Sequence, residues 1–372
     1  MSNTQKKNVP ELRFPEFEGE WEEKQLGNII KVNSGKDYKH LDKGDIPVYG
    51  TGGYMTSVSE PLSEIDAVGI GRKGTINKPY LLEAPFWTVD TLFYCTPKKE
   101  TDILFILSLF RKINWKVYDE STGVPSLSKQ TINKINRFVP TNKEQQKIGK
   151  FFSKLDRQIE LEEQKFELLQ QQKKGYMQKI FSQELRFKDE NGNDYPDWTN
   201  ERLGEVTTVT MGQSPKSVNY TDNSNDTVLI QGNADIENGL INPRIYTREV
   251  TKLIQKDEII LTVRAPVGKL AMAQINACIG RGVCSIKGDK FLYYFLEWFA
   301  TQNKWIRFSQ GSTFESISGN DIRNIHIKIP VEDERTKIIK LLNSLDVLNS
   351  KTDLKIQNLK QRKQSLLQKI FV

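Results

Sequence analysis

Apolar residues recur at alternating steps of four and three along two long stretches of the chain. From Thr141 to Ser182 they are Ile148, Phe152, Leu155 and Ile159, then Phe166, Leu169, Tyr176 and Ile180. From Val331 onward they are Ile338, Leu342 and Leu345, then Ile356, Leu359, Leu366 and Ile370. A 3.5-residue period predicts two coiled-coil helices. Each covers about 40 residues, or about 60 Å at the rise of an α-helix. Thr141 and Glu144 stand at capping-box spacing. At the second start, Glu332, Asp333 and Glu334 place anions where the helix dipole favours them. Glu162, Lys173, Asn349, Thr352 and Lys363 interrupt the apolar seam, as polar residues that set register and orientation do. A helix of this length cannot bury its stripe alone, so each predicts the other as its partner.

The two stretches are copies of one another. At an offset of 190, Pro140 falls on Pro330, Glu144 on Glu334, Leu155-Asp156 on Leu345-Asp346, and Gln178-Lys179-Ile180-Phe181 on Gln368-Lys369-Ile370-Phe371. A fixed offset sustained from Ser128 to Phe181 is a duplication. It reaches back into the preceding segments. Leu12-Arg13-Phe14 recurs as Leu185-Arg186-Phe187, and Trp21, Leu26-Gly27 and Gly35 recur at an offset of 177 as Trp198, Leu203-Gly204 and Gly212. Between these frames, residues 36–120 and 213–310 differ in length and nearly everywhere in sequence.

The dissimilar inserts show short β-prone runs bounded by turn residues. They are Ile46 to Tyr49, Ala67 to Ile70 and Trp87 to Tyr94 in the first half, and Val228 to Gln231, Ile259 to Val263 and Gly282 to Ile286 in the second. Each insert then has one helical stretch, Asp102 to Trp115 and Phe291 to Phe308. Each closes with a small-residue loop, Ser121-Thr122-Gly123 and Gly311-Ser312-Thr313. An Ile-rich strand follows, Ile132 to Val139 and Ile322 to Ile329. The expected architecture is α+β: two β-rich globular domains separated by an antiparallel coiled coil of two long helices, with a pseudo-two-fold internal repeat. The expected boundaries are a first domain 1–140, a first helix 141–184, a second domain 185–330 and a second helix 331–372. Antiparallel pairing also predicts that Gln368 to Phe371 lies near residues 8–14, because its first copy runs directly into Leu185.

Charge adds a partner class. The chain carries 54 Lys+Arg against 47 Asp+Glu, a net +7. The surplus is divided between the halves, 28 against 25 up to Glu184 and 26 against 22 beyond it, so it is no tail. A mildly basic surface suits a polyanion. No apolar run reaches a membrane span, and the N-terminus lacks a signal-peptide core, so a cytoplasmic protein with no membrane partner is expected. Cys95, Cys278 and Cys284 form no metal spacing and read as reduced thiols.

Catalytic equipment is sparse. His40 and His326 are the only histidines, and His326 alternates with Ile325 and Ile327 as a strand residue does. There is no phosphate loop of the Gly-x4-Gly-Lys-Ser/Thr type, and Gly69 to Gly74 has the wrong spacing for a dinucleotide turn. A recurrent basic element is present instead. Gly71-Arg72-Lys73-Gly74-Thr75 and Val263-Arg264-Ala265-Pro266-Val267-Gly268-Lys269 each follow a predicted strand. An Arg at a strand end can present its fork to a guanine edge or a phosphate. The DNA-contact candidates are Lys36, Tyr38, Arg72, Lys73 and Thr75 in the first domain. In the second they are Gln213, Ser214, Lys216, Gln231, Asn233, Arg264 and Lys269. Gln and Asn pair with adenine, and Lys and Arg with guanine and phosphate.

With these features the chain resembles the specificity (S) subunits of type I restriction–modification systems over essentially all its length. The resemblance rests on the two-copy layout, the Trp-x4-Leu-Gly entries (Trp21 to Gly27, Trp198 to Gly204), the Pro-x3-Glu helix starts and the Gln-Lys-Ile-Phe ends. It implies that each insert domain is a target recognition domain reading one half of an asymmetric, interrupted site on double-stranded DNA. It implies helices that act as spacer and docking surface. It also implies a non-catalytic subunit that binds no cofactor itself. Two modification subunits would supply S-adenosylmethionine and adenine-N6 methylation, and two restriction subunits ATP- and Mg-dependent translocation and cleavage. Two-fold readers place half-sites about 34 Å apart or a multiple of that. The competing classes are a stand-alone enzyme, which lacks its cofactor loop, and a scaffold or stand-alone DNA-binding protein without a methyltransferase partner.

Overall fold

A computed structural model describes residues 8–305 and 316–372. The chain forms two compact units, one of Met1–Gln164 with Asp353–Val372 and the other of Lys165–Thr352. The long helices span Asn142–Phe181 and Glu332–Ile370. Each contributes a segment to each unit.

Inside the first unit the segments run antiparallel. Glu162 meets Lys355 at 2.5 Å, Glu163 meets Lys360 at 2.7 Å, and Asp156 pairs with Lys363. The second unit repeats the pairing in mirror order: Lys173 lies 2.7 Å from Asp346, and residues 156 and 363 correspond to 346 and 173 at the 190-residue offset. Three of the five seam-interrupting residues therefore form ion pairs that fix register. Thr352 instead returns its hydroxyl to the Leu348 carbonyl at 2.9 Å, and the Asn349 side-chain oxygen is buried with no hydrogen-bond partner among the described residues.

The first unit's main sheet has four antiparallel strands in the order Ile30–Ser34, Leu92–Pro97, Ala67–Gly71, Tyr80–Leu82. The second unit repeats it as Val209–Met211, Val283–Ile286, Ile259–Thr262, Leu270–Met272. Each unit also has a second sheet, which contains one parallel pair. In the first unit Ile46–Gly50 lies between Gly53–Val58 and the parallel Trp87–Thr88. In the second, Thr227–Ile230 runs parallel to Ala277–Ile279 within a five-stranded sheet. The extra strands of the second unit account for the growth of the offset from 177 to 190. A two-stranded ribbon closes each domain, Glu22–Gln25 on Asn136–Val139 and Thr199–Arg202 on His326–Ile329.

Several local expectations are corrected. The run Trp87 to Tyr94 is two strands, because Leu92 N–H turns back onto the Val89 carbonyl at 3.0 Å. Residues Ile132 to Val139 and Ile322 to Ile329 are not continuous strands. Ser128 and Ser318 accept from the Thr131 and Asp321 amides and start short helices, Lys129–Lys134 and Gly319–Arg323, before strands Asn136–Val139 and His326–Ile329. The insert helices are Ile103–Lys112 and Lys290–Thr301, capped by Asp102 and Asp289. The Gly311-Ser312-Thr313 loop and the end of the Phe291 to Phe308 stretch lie outside the described residues.

Glu144 does not complete a capping box. Its carboxylate, 1% exposed, accepts from Arg13 Nε at 2.8 Å, Arg13 Nη2 at 2.7 Å and Trp21 Nε1 at 3.3 Å. Glu334, fully buried, accepts from Arg186 Nε at 2.9 Å, Arg186 Nη2 at 2.8 Å and Trp198 Nε1 at 2.9 Å. The same guanidinium–carboxylate–indole clamp thus ties each long helix to the entry of a domain. A fully buried carboxylate is tolerated because the bidentate Arg and the indole satisfy it. The end of the second helix packs as expected: Leu12 N–H donates to the Lys369 carbonyl at 2.9 Å, and Leu185 N–H does the same to Lys179. Phe371 sits among Trp21, Phe105 and Phe152.

Candidate nucleic-acid interface

In each unit the two sheets meet at a turn that leads into the strand second in order. The turns are Val89–Thr91 in the first unit and Gly280–Gly282 in the second. Gly35 N–H donates to Leu92 O at 3.1 Å and Gly212 N–H to Val283 O at 3.0 Å. Both glycines are sterically required. A Cβ on Gly35 would stand 2.0 Å from Val89 O, and one on Gly212 would stand 2.2 Å from Gly280 O. On the other side of the turn, Arg72 N–H donates to Thr91 O at 2.8 Å and Val263 N–H to Gly282 O at 2.9 Å. The candidate loops after residues 35, 71, 212 and 263 therefore flank these two turns.

The hydrogen bonds also revise which residues correspond. Arg72 takes the position of Val263, while Lys73 and Arg264 form matching isolated bridges with Ser126 and Ser316. Lys73, not Arg72, is the counterpart of Arg264. The Arg72 guanidinium leans back on the domain, 5.9 Å from the Phe93 ring centre and 3.4 Å from the Asp90 carbonyl. Lys73 and Arg264 are exposed. Among the described residues their side chains have no hydrogen-bond or ion-pair partner.

In the second unit the structure gathers Ser214, Gln231, Asn233 and Arg264 around one cleft of about 190 Å³, together with Arg281, which sequence reasoning missed. Its signal is a single Arg between two glycines, Gly280-Arg281-Gly282. Gln231 N–H is held by Asp235 Oδ2 at 2.8 Å, and its side-chain oxygen accepts from Tyr220 at 3.5 Å. Lys269 turns inward: its ammonium donates to the Asn233 and Ile236 carbonyls at 3.1 and 2.6 Å. It fixes the Asn233 loop and has little left for a phosphate. Gln213 and Lys216 are exposed outside the cleft, with their main chain tied to Ile279 O and the Glu249 carboxylate.

In the first unit Lys36 is exposed, and its carbonyl accepts from the Trp87 indole at 2.9 Å. Tyr38 packs partly into the apolar cluster of Val48, Val58 and Trp87. Thr75 is half-buried. The hairpin Ile46–Gly50/Gly53–Val58 exposes Tyr54 (64%) and Met55 (53%). The first unit thus presents lysine and aromatic chemistry where the second presents guanidinium and amide.

The cysteines take no part in this surface. Cys95, Cys278 and Cys284 are buried and unpaired, and burial pushes the Cys284 thiol up to about 12. Among the described residues no helix is long and apolar enough to cross a membrane.

The profile of the family described as Type I restriction modification DNA specificity domain matches twice, over residues 18–171 and 195–361. A Methanocaldococcus jannaschii protein assigned as the MjaX specificity subunit of a type I restriction enzyme is 30% identical over 261 residues. That alignment covers 66% of this chain and 61% of the relative. The MjaVIII specificity subunit of the same organism is 25% identical over 312 residues, 77% of this chain and 71% of the relative. The fold is that of the type I restriction–modification S subunit from M. genitalium, with TM-score 0.69, 16% identity, and coverage of 98% of this chain and 99% of that one. A chain from a structure of type I R-M complex assembly and conformational transition superposes with TM-score 0.58 at 19% identity, covering 94% and 97%. One family matched twice, each time across the Trp and Glu of a clamp, the insert between them and most of a long helix, makes this chain a member of the type I restriction modification DNA specificity family.

Proposed function

We propose that the chain is the sequence-specific DNA-recognition subunit of a type I restriction–modification complex. Each domain reads one half of an asymmetric, bipartite duplex site. The observation that carries this reading is the pair of matching turns: one backbone frame, built twice, carries different side chains at its exposed loops. A scaffold gains nothing from such divergence, whereas a split asymmetric site needs it. The domains comprise residues 1–140 and 185–330, and the helices 141–184 and 331–372 space them and dock the partners. Modification subunits bring S-adenosylmethionine and adenine-N6 methylation, and restriction subunits bring ATP- and Mg-driven cleavage, two copies of each. The chain contributes recognition in the cytoplasm and no catalytic group.

The test is a methylome. The chain is co-expressed with its modification subunit, and N6-methyladenine is mapped across the host genome. One split, asymmetric motif that depends on both genes is the expected result, and exchange of residues 185–310 changes one half of it only. An assembled complex that adds no methylation overturns the reading and leaves a scaffold.

A further inference from the structure

Gly280-Arg281-Gly282 is wedged between two loops. A Cβ on Gly282 would stand 1.9 Å from Gln231 O, and one on Gly280 would stand 3.0 Å from Ser214 Oγ. Gly280 N–H donates to Ile230 O at 2.7 Å, Arg281 N–H to Ser214 Oγ at 3.1 Å, and Gly282 O accepts from Val263 N–H at 2.9 Å. Three consecutive residues are thus fixed to three different segments: the end of strand Thr227–Ile230, the Ser214 loop and the residue that follows strand Ile259–Thr262. The backbone under Arg281 is rigid, yet its side chain is exposed and has no hydrogen-bond or ion-pair partner among the described residues. The nearby Asp235 carboxylate is engaged by the Gln231 and Gly232 amides at 2.8 and 3.1 Å.

The first unit has a residue at the same place. Leu92 N–H donates to Val89 O as Val283 N–H does to Gly280 O, and Thr91 O takes the amide of Arg72 as Gly282 O takes that of Val263. By these bonds the counterpart of Arg281 is Asp90, also exposed. Opposite charges at one turn position argue against a phosphate contact, because a carboxylate is repelled by the DNA backbone. A base edge accommodates both signs: guanine offers O6 and N7 as acceptors to an Arg fork, and cytosine offers its N4 amino group to a carboxylate.

Resting on the DNA-recognition reading above, we propose that this turn position is a base-reading position in both domains, Arg281 taking a guanine and Asp90 a cytosine amino group. A rigid backbone beneath an exposed fork suits bidentate readout, since little freedom is lost on binding. Ser214 and Gln231, on the same cleft, then face the neighbouring base.

The test uses the complex assembled with its modification subunits and selection from a randomised duplex library. The selected motif is expected to hold a guanine in the second half-site. Arg281→Ala is expected to lower discrimination at that one base roughly five- to 150-fold, the worth of a bidentate pair, with the first half-site unchanged. Arg281→Lys keeps the charge but loses the fork, and is expected to lose discrimination while retaining the salt dependence. Replacing the guanine by 7-deazaguanine removes N7; it should weaken the wild-type complex and leave Arg281→Ala unaffected. Asp90→Ala should relax a cytosine in the first half-site only. A loss that is uniform over all sequences, a 7-deazaguanine effect that persists in Arg281→Ala, or a second half-site without guanine overturns the proposal. If the wild-type complex selects no motif at all, the DNA-recognition reading itself fails.

Discussion

Arg13 grips Glu144 through two parallel hydrogen bonds of 2.8 and 2.7 Å, 131 positions apart in sequence. The pair fastens the entry of the first domain to the first turn of a 40-residue helix. Removing the carboxylate leaves a guanidinium and the Trp21 indole without their acceptor. Glu144→Ala is expected to destabilise the first unit by about 3–5 kcal/mol, the cost of breaking a buried pair. Hydrogen exchange is the check: amides of Glu22–Gln25 and Asn136–Val139 should exchange faster, while Thr199–Arg202 and His326–Ile329 stay protected. Glu334→Ala should reverse the pattern.

Lys173 lies 2.7 Å from both Glu297 and Asp346. Burial alone would lower its ammonium, but the two carboxylates outweigh burial and hold it above its ordinary value. Lys173→Met leaves two facing acids. The cost should fall below the about 3–5 kcal/mol of a fully buried pair, because Glu297 and Asp346 keep some contact with water.

The pH dependence follows in sign. Burial raises the Glu297 carboxyl above its ordinary value near 4.5, against the pull of Lys173. The folded state therefore binds this proton more tightly than the unfolded one, and stability falls as pH rises through the window above 4.5. Lys173→Met should widen that window, so denaturation midpoints of variant and wild type should converge as pH falls toward 4.5 and diverge at neutrality. The stabilisation from Lys173 itself is lost as pH rises through its raised value, and at the acid end it fades as Glu297 protonates.

Gly35 and Gly212 each stand where a Cβ would overlap a carbonyl oxygen at 2.0 and 2.2 Å. Gly212→Ala must displace the Gly280–Gly282 turn, at about 1–3 kcal/mol or more. In a library selection it should blur the second half-site and spare the first, and Gly35→Ala should do the opposite. Equal damage to both halves by either variant would contradict separate reading heads.

Lys73 and Arg264 occupy matching bridges and have exposed side chains. If either meets a phosphate, its alanine variant lowers the slope of log K against log salt by about 0.9 and weakens all sequences alike. If Arg264 reads a base, Arg264→Ala relaxes one position of the second half-site. Titrating duplex binding between low and moderate salt separates the two outcomes.

Periodicity and repetition made much of this fold legible. The 3.5-residue spacing marks both helices, and the invariance of Trp21, Arg13 and Gly35 across the duplication marks residues whose partners are part of the frame. What each of them touches was not legible. Glu144 has the spacing of a capping box, but Arg13 and Trp21 lie more than 120 positions away and only the folded chain brings them to it. Continuous apolar runs misled where a serine cap turned one into a short helix, as at Ser128. The candidate surface was half legible. Arg264, Gln231, Asn233 and Ser214 come together from three loops, but Lys269 is spent on carbonyls, and Arg281 stands just before the stretch read as a strand. Side-chain direction at a turn is set by long-range backbone bonds, and local sequence does not record those.

The twice-built clamp also bears on how such chains diversify. Much of what holds a domain in place lies outside its insert: the Arg, Trp and Glu of the clamp, the closing ribbon and the long helix, while the insert adds its own helix, with Arg111 on Asp156 and Glu297 on Lys173. An exchange of genetic material between the two ends of a frame replaces the exposed loops and leaves the clamp and the closing ribbon untouched. Because both frames present the same anchors, one insert has two berths in the same gene. Recombination between the copies can therefore move a reading head from one position to the other, and new combinations arise without any new residue having to evolve.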